Sequence, residues 1–169
     1  MKHFFDTFPT PLGEFSIAVD EDGAVVATAF GDEASLRRRF EANALARNPG
    51  AVSQARGEIE EYFAGERRTF TSALKPVGTP FQQSVWLALR GIPFGETRTY
   101  GQLATLLGKA GAARAIGRAN ATNPICVIVP CHRVIGADGS LTGFAFGEAI
   151  KQQLLTLERT PRPSAVVAA

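Results

Sequence analysis

Cysteine and histidine are scarce: the 169 residues hold two of each, Cys126, Cys131, His3 and His132. Structural zinc takes four protein ligands and catalytic zinc three, so this inventory leaves no zinc site to expect, and no other metal or cofactor is called for. The two cysteines stand five positions apart on one apparent strand and its exit, which makes a poor disulfide pair. Long apolar runs are missing as well. Nothing approaches the length that spans a bilayer, and Met1-Lys2-His3-Phe4-Phe5-Asp6 lacks the apolar core of a signal peptide. The expectation is a cytosolic chain with reduced thiols and no membrane partner. Strong charge of one sign is absent too, the net being +2, and the 45% hydrophobic to 20% charged balance is that of an ordinary globular protein.

The small net charge is unevenly spread. Residues 1–80 carry nine Lys/Arg against twelve Asp/Glu, and residues 81–169 carry nine against four. A basic half suits a polyanion, although a solvated surface explains a shift of this size equally well. In the acidic half, residues 2–8 and 14–20 alternate in part, and Asp22-Gly23 precedes the apolar run 24–30, a hairpin pattern. Helical spacing places Leu36, Phe40 and Leu45 on one helix over 35–46, and Ile59, Tyr62 and Phe63 on another over 52–64. Arg37-Arg38-Arg39 is expected on a solvated helix face, and Thr69-Phe70-Thr71 as a short strand. Nothing here clusters residues suited to chemistry, so residues 1–75 are expected to be a scaffold domain.

Lys75-Pro76-Val77-Gly78 breaks the chain. Thr79-Pro80-Phe81-Gln82 and Thr99-Tyr100-Gly101-Gln102 then each have a capping threonine and a glutamine three residues on, which predicts helices starting at 80 and 100. Gly108 ends the second, and a further helix runs from about Ala112 to Ala121, stopped by Asn123-Pro124. Two short helices around a glycine-containing turn form a helix-turn-helix candidate. The last helix is nearly bare: Ala112, Ala113, Ala115, Gly117, Ala119 and Ala121, with Arg114, Arg118 and Asn120 as its long polar members. Such a face suits sequence-indifferent approach to DNA, in the minor groove for instance, and suits packing against a neighbouring helix equally well.

After that pair comes Ile125-Cys126-Val127-Ile128-Val129-Pro130-Cys131-His132-Arg133-Val134-Ile135, whose β-branched composition predicts a buried strand. Cys126 lies inside the apolar run, where a cysteine is usually a small hydrophobe. Cys131 follows a proline and precedes an imidazole and a guanidinium, the neighbours that make a thiolate available, although a buried structural thiol is open here also. Adjacent residues of an extended chain point to opposite faces, so His132 is expected to reach the Cys131 proton through a water. Beyond lie an Asp138-Gly139 turn, the aromatic loop 143–147, a helix with Ile150, Leu154, Leu155 and Leu157, and a tail over 161–169 expected to be flexible.

Pro130-Cys131-His132-Arg133-Val134, the helix pair between Tyr100 and Asn123 before it and the loop and helix after it together resemble the O6-alkylguanine-DNA alkyltransferases. The resemblance is collinear from about Phe81 to Glu158, and residues 1–75 resemble that family's ribonuclease-H-like domain less closely. It implies an α+β chain: a small ribonuclease-H-like α/β domain over 1–75 and a mainly helical winged helix-turn-helix domain over 79–160 carrying the reactive cysteine. The implied activity is suicidal transfer of an alkyl group from guanine O6, with thymine O4 as a further substrate, to Cys131. His132 would deprotonate the thiol through a water, Glu158 would polarise His132, Tyr100 would help the base leave neutral, and Asn123 would form the hinge of the site. Arg114 would fill the stack vacated by a flipped nucleotide, with Thr99, Gln102, Ala112, Ala113, Gly117 and Arg118 along the DNA. Val134, Phe144, Ala145, Phe146 and Lys151 would form the guanine pocket. The implied partner is double-stranded DNA containing O6-alkylguanine, met by a monomer. Phe144 stands where many members have Tyr, and Phe146 where some have Gly, so a pocket narrowed towards methyl adducts is expected.

Three other readings use the same residues. A cysteine hydrolase needs a remote histidine, and His3 is the one on offer besides His132. A lesion sensor on the same scaffold has no need of Cys131, and a plain winged-helix module has no use for Pro-Cys-His-Arg.

Overall fold

The computed structural model describes residues 2–39 and 44–160. The chain is α+β and has two parts that share one core. The N-terminal part is a mixed sheet of order β3-β2-β1-β4, built from β1 (His3–Thr10), β2 (Gly13–Val19), β3 (Val25–Phe30) and β4 (Leu45–Arg47). β1 and β2 pair antiparallel through a tight turn at Gly13, whose φ of 109° favours glycine, while β4 joins β1 in parallel. Helix α2 (Pro49–Phe63) starts at Asn48, whose side chain accepts from Ala51 N, and it buries Val52, Ile59 and Tyr62 against the sheet.

The helix expected over 35–46 is shorter. α1 covers Glu33–Arg39, and Leu45 belongs to β4, where backbone pairing with His3 outweighs a helical spacing that continued by coincidence. Phe40 lies outside the described residues, as does the 161–169 tail. Thr69-Phe70-Thr71 is not a strand. Thr71 and Ser72 are held instead by the buried carboxylate of Glu58, which accepts from both backbone amides and both hydroxyls, and the sheet contact falls later, at Leu74 beside Val25.

In the C-terminal part the two capping boxes form as their sequences predict. Thr79 and Gln82 cap α3 (Pro80–Arg90), and Thr99 and Gln102 cap α4 (Tyr100–Leu106). α5 (Ala113–Ala121) packs against both, with Trp86 Nε1 donating to Ala119 O at 2.8 Å. A small parallel pair, β5 (Arg98–Thr99) with β6 (Val134–Ile135), and α6 (Glu148–Arg159) complete it.

The run from Ile125 is not a continuous strand. Val127 takes φ 73°, a conformation that costs a β-branched residue of order 1–3 kcal/mol, and the chain doubles back through Ile128 N to Cys126 O and Val129 N to Ile125 O. Two elements over-determine this loop. The Asn123 side chain brackets it, with Oδ1 accepting from Ile125 N at 3.0 Å and Nδ2 donating to Val129 O at 2.9 Å. From the other part of the molecule, β3 holds it through Thr28 N to Pro124 O and Thr28 Oγ1 to Cys126 O, both 2.9 Å. The N-terminal sheet edge therefore positions the segment that delivers Cys131.

Candidate active site

Cys131-His132-Arg133 form a single 3₁₀ turn, not an extended chain, so the two-face argument for His132 does not apply. The turn leaves the imidazole fully buried and directed at the carboxylate of α6. His132 Nε2 lies 2.6 Å from Glu158 Oε2, and both side chains are fully buried. The same carboxylate accepts from Arg133 Nε at 2.8 Å and Nη2 at 3.0 Å, and from the Tyr62 hydroxyl at 2.6 Å. Burial alone would raise the Glu158 carboxyl. The hydrogen bond from His132 and the Arg133 guanidinium outweigh it and hold the group well below the usual carboxylate range.

An ionised Glu158 only accepts, so it fixes the proton of His132 on Nε2 and leaves Nδ1 with a lone pair. Nδ1 is buried and has no hydrogen-bond partner among the described residues. Burial pushes the His132 pKa down against the pull of Glu158, and Arg133 already balances that charge, so the imidazole is neutral and its Nδ1 is free to take a proton. Arg133 is thus the counter-ion that leaves the imidazole uncharged. From the sequence it was expected as a positive neighbour of Cys131, whereas here its guanidinium donates to Glu158 and to Ile92 O. Tyr62, 96 residues from its partner, had no local signal.

Cys131 is 5% exposed. Burial pushes its thiol up, while the Asn123 side chain and the charges of Arg39 and Lys151 oppose the shift. The resting group is a protonated thiol that needs a base. Cys126 is pushed up to about 12, by burial first, and shares its sulfur with the Thr28 hydroxyl at 3.2 Å, in keeping with a small core residue.

Around the thiol the sequence-derived residues divide. Tyr100 donates to Thr142 O at 3.0 Å, and burial, then Cys131, raise its pKa so that it keeps its proton. Lys151 is fully buried and its Nζ donates to Val134 O at 2.5 Å, with burial pulling its pKa down. Asn123 brackets the loop as described. Phe144 is buried, Ala145 is exposed, and the Phe146 ring turns towards the N-terminal part, 5.6 Å from Phe30 and 5.8 Å from Phe144 between centroids. Asn120 is not on an open helix face. It is 1% exposed, and Nδ2 donates to Cys131 O at 3.2 Å.

Arg114 and Arg118 are exposed on α5, while Ala112, Ala113 and Gly117 are half-buried. With Tyr100, Ala121, Thr142 and Gly143, the residues Arg114, Gly117 and Arg118 line an open depression of about 390 Å³. A Cβ at Gly117 would meet the Tyr100 ring at 3.8 Å, an ordinary contact, whereas one at Gly143 would lie 2.9 Å from the Tyr100 hydroxyl, so it is Gly143 that lets the chain pass close to Tyr100. Thr99 and Gln102 are committed to capping α4, at the edge of this surface. His3, the remote histidine a hydrolase would need, sits on β1 and pairs in register with Leu45, away from Cys131. Arg39 departs from its solvated expectation. It is half-buried, and its Nη2 donates to Asn123 O.

Among the described residues no group of three or more His, Cys, Asp or Glu could hold a metal ion, and no helix is long and apolar enough to cross a membrane. The family model for the 6-O-methylguanine DNA methyltransferase DNA-binding domain matches residues 80–160, and that for the ribonuclease-like domain of the same proteins matches residues 4–76. The methylated-DNA-protein-cysteine methyltransferase of Methanosarcina acetivorans is 45% identical over 156 residues, which cover 92% of this chain and 97% of that protein. The constitutive enzyme of the same name from Bacillus subtilis is 41% identical over 158 residues, 93% and 96% of the two chains. In three dimensions the chain is similar to Mycobacterium tuberculosis OGT crystallised in complex with DNA, with TM-score 0.84, 42% identity and coverage of 96% and 97%.

Proposed function

The chain belongs to the 6-O-methylguanine DNA methyltransferase family and repairs DNA by direct transfer of an alkyl group to a protein cysteine, and we propose that Cys131 is that acceptor. The observation that carries this is the neutral His132, held by Glu158 at 2.6 Å with a buried, unpartnered Nδ1, on the residue next to a thiol that needs a base. In the reaction, Cys131 Sγ forms a bond to the alkyl carbon as the carbon–O6 bond breaks, and the thiol proton passes through a water to His132 Nδ1. Tyr100 gives its hydroxyl proton to the guanine ring, which leaves neutral. The proton gained by His132 and that lost by Tyr100 re-equilibrate through solvent after the base departs. The thioether is permanent, so each molecule acts once. O4-alkylthymine offers the same bond to break and is a second substrate.

The partner is double-stranded DNA carrying the lesion, bound by a monomer through α4 and α5. A base inside the stack cannot reach a buried thiol, so the nucleotide is flipped past Tyr100 and the depression beside Gly117 and Gly143 towards Cys131, and exposed Arg114 takes its place in the stack. Extrusion costs a few kcal/mol. Arg114→Ala should therefore lower binding to a lesion-containing duplex about tenfold while abolishing most of the fluorescence rise of a 2-aminopurine placed beside the lesion. An undiminished rise would remove Arg114 from this role.

Val134 and Ala145 backbone groups and Lys151 frame the guanine edge, Phe144 closes the pocket, and Phe146 narrows it from the N-terminal side. Phe146→Ala is expected to raise the benzyl-to-methyl transfer ratio several-fold, at a stability cost of about 2 kcal/mol from the lost contacts with Phe30 and Phe144. Single-turnover rates on the two adducts, with a urea melt, check both numbers. An unchanged ratio would place the specificity elsewhere.

A further inference from the structure

Arg39 is the last residue of α1, in the part of the chain whose sequence suggested only a scaffold. Its guanidinium crosses to the reactive half and does three things there. Nη2 donates to the carbonyl of Asn123, the residue whose side chain brackets the strained loop before Cys131. The guanidinium carbon lies 5.1 Å from the centroid of the Phe146 ring, a cation–π distance, on the loop that frames the guanine pocket. With Phe30, Ala145 and Phe146 it also lines a cavity of about 290 Å³ between the two parts of the molecule.

No carboxylate lies within ion-pair distance of Arg39 among the described residues, and its Nε is buried without a hydrogen-bond partner. A cation part-way into the core without a counter-ion is costly unless something nearby carries or develops negative charge. The groups around Cys131 Sγ identify what that is. From α6 comes Lys151, itself drawn by Cys131 and Glu148. From α4 comes Tyr100, which keeps its proton. Cys126 is protonated, and behind the 3₁₀ turn Arg133 and Glu158 balance each other around neutral His132. Lys151 spends one of its protons on Val134 O. Arg39, hydrogen-bonded to Asn123 O, joins Lys151 in opposing the upward push of burial on the Cys131 thiol.

Resting on the assignment of Cys131 as acceptor, we propose that Arg39 is a positioning residue for alkyl transfer, through which the N-terminal part braces the Asn123 loop against the Phe146 loop and supplies positive charge to the developing thiolate. The arrangement makes the N-terminal part a contributor to the reaction and explains why its edge is bonded to the reactive segment. Arg37 and Arg38, on the same turn, differ. Both are exposed: Arg37 pairs with Glu33 at 3.1 Å, and Arg38, although it lines the same cavity, donates Nη2 to the Ser35 hydroxyl at 3.0 Å and not to the Asn123 loop.

The test separates charge from bracing. Arg39→Gln keeps an amide donor for the Asn123 carbonyl and loses the charge, Arg39→Met loses both, and Arg39→Lys keeps the charge. Single-turnover methyl transfer to Cys131 is followed against pH on O6-methylguanine duplex DNA, with thermal melts and binding to unmethylated duplex alongside. The rate of the two neutral variants at neutral pH should fall about tenfold, with the inflection of the profile moved about one unit higher, while Arg39→Lys keeps the wild-type inflection and all keep wild-type affinity for unmethylated DNA. With two neutral replacements, one that fails to fold leaves the other to decide. Profiles of a common inflection, lowered equally at every pH or not at all, would overturn the proposal. A wild-type protein that transferred the methyl group to a residue other than Cys131 would instead overturn the acceptor assignment, and its product would show this directly.

Discussion

Cys131→Ser is expected to bind a duplex containing O6-methylguanine within about twofold of the wild-type affinity and to remove methyl groups at least about a thousandfold more slowly. The substitution exchanges one buried atom, so the 3₁₀ turn, the Asn120 bond to the Cys131 carbonyl and the open face of α5 are unaffected. The chemistry is not. A thiol, even one raised by burial, is far more acidic than a hydroxyl, so a buried imidazole whose own pKa is pushed down can accept a proton from the first but not from the second. Binding by gel shift and transfer from a radiolabelled methyl group separate the two effects. Retained transfer would remove Cys131 from the chemistry. A lesion sensor or a plain DNA-binding module would show no difference between Ser and Cys in any function it has.

Glu158→Gln should do comparable damage by another route. Oε2 accepts from His132, Arg133 and Tyr62, and Oε1 from Arg133, so an amide of the same shape offers a donor where only donors converge and leaves the guanidinium uncompensated. Breaking a buried pair from one side costs about 3–5 kcal/mol. Transfer should slow by about a hundredfold, because nothing then holds the His132 proton on Nε2 and Nδ1 no longer presents a lone pair to the water and thiol. The pH dependence carries the sign. Glu158 is held below its unfolded value, so its contribution to stability is full above the unfolded carboxylate pKa of about 4.3 and is lost as the pH falls towards the folded value. The stability gap between wild type and Glu158→Gln, measured by urea unfolding, should therefore narrow between about pH 5 and about pH 3. A gap that stayed constant would mean the carboxylate is not ionised in the folded protein.

How much of this was legible in the sequence depended on how local its cause was. The two capping boxes are four-residue patterns that carry their own hydrogen bonds, so α3 and α4 begin where Thr79 and Thr99 say they do. The β2–β3 hairpin follows from partial alternation and the Asp22-Gly23 turn, whereas the turn at Gly13 between β1 and β2 was not read. The run 125–135 misled because its β-branched composition favours a strand, while the bonds that fold it back come from Asn123 and from Thr28, almost a hundred residues earlier. Similar distance hid Tyr62 and Arg39. Tyr62 reads as one more apolar position on α2 and Arg39 as one of three surface arginines, and only the docking of the two parts gives each a polar partner in the other half. Cys131 and His132 stood out from their own motif, while Glu158 was named only from a resemblance that covered the C-terminal half. What the structure adds is the distribution of charge among them, with Arg133 paired to Glu158 and not, as its place after Cys131 suggested, serving the thiol.

The most direct measurement is the mass of the protein's own peptides after one equivalent of duplex containing a single O6-methylguanine has been consumed. The account predicts that the peptide containing Cys131 gains the mass of one CH2 in step with the appearance of unmodified guanine, and that a second equivalent of lesion is not repaired. Restored guanine alongside an unaltered Cys131 peptide, or a methyl group found on Cys126 instead, would contradict it.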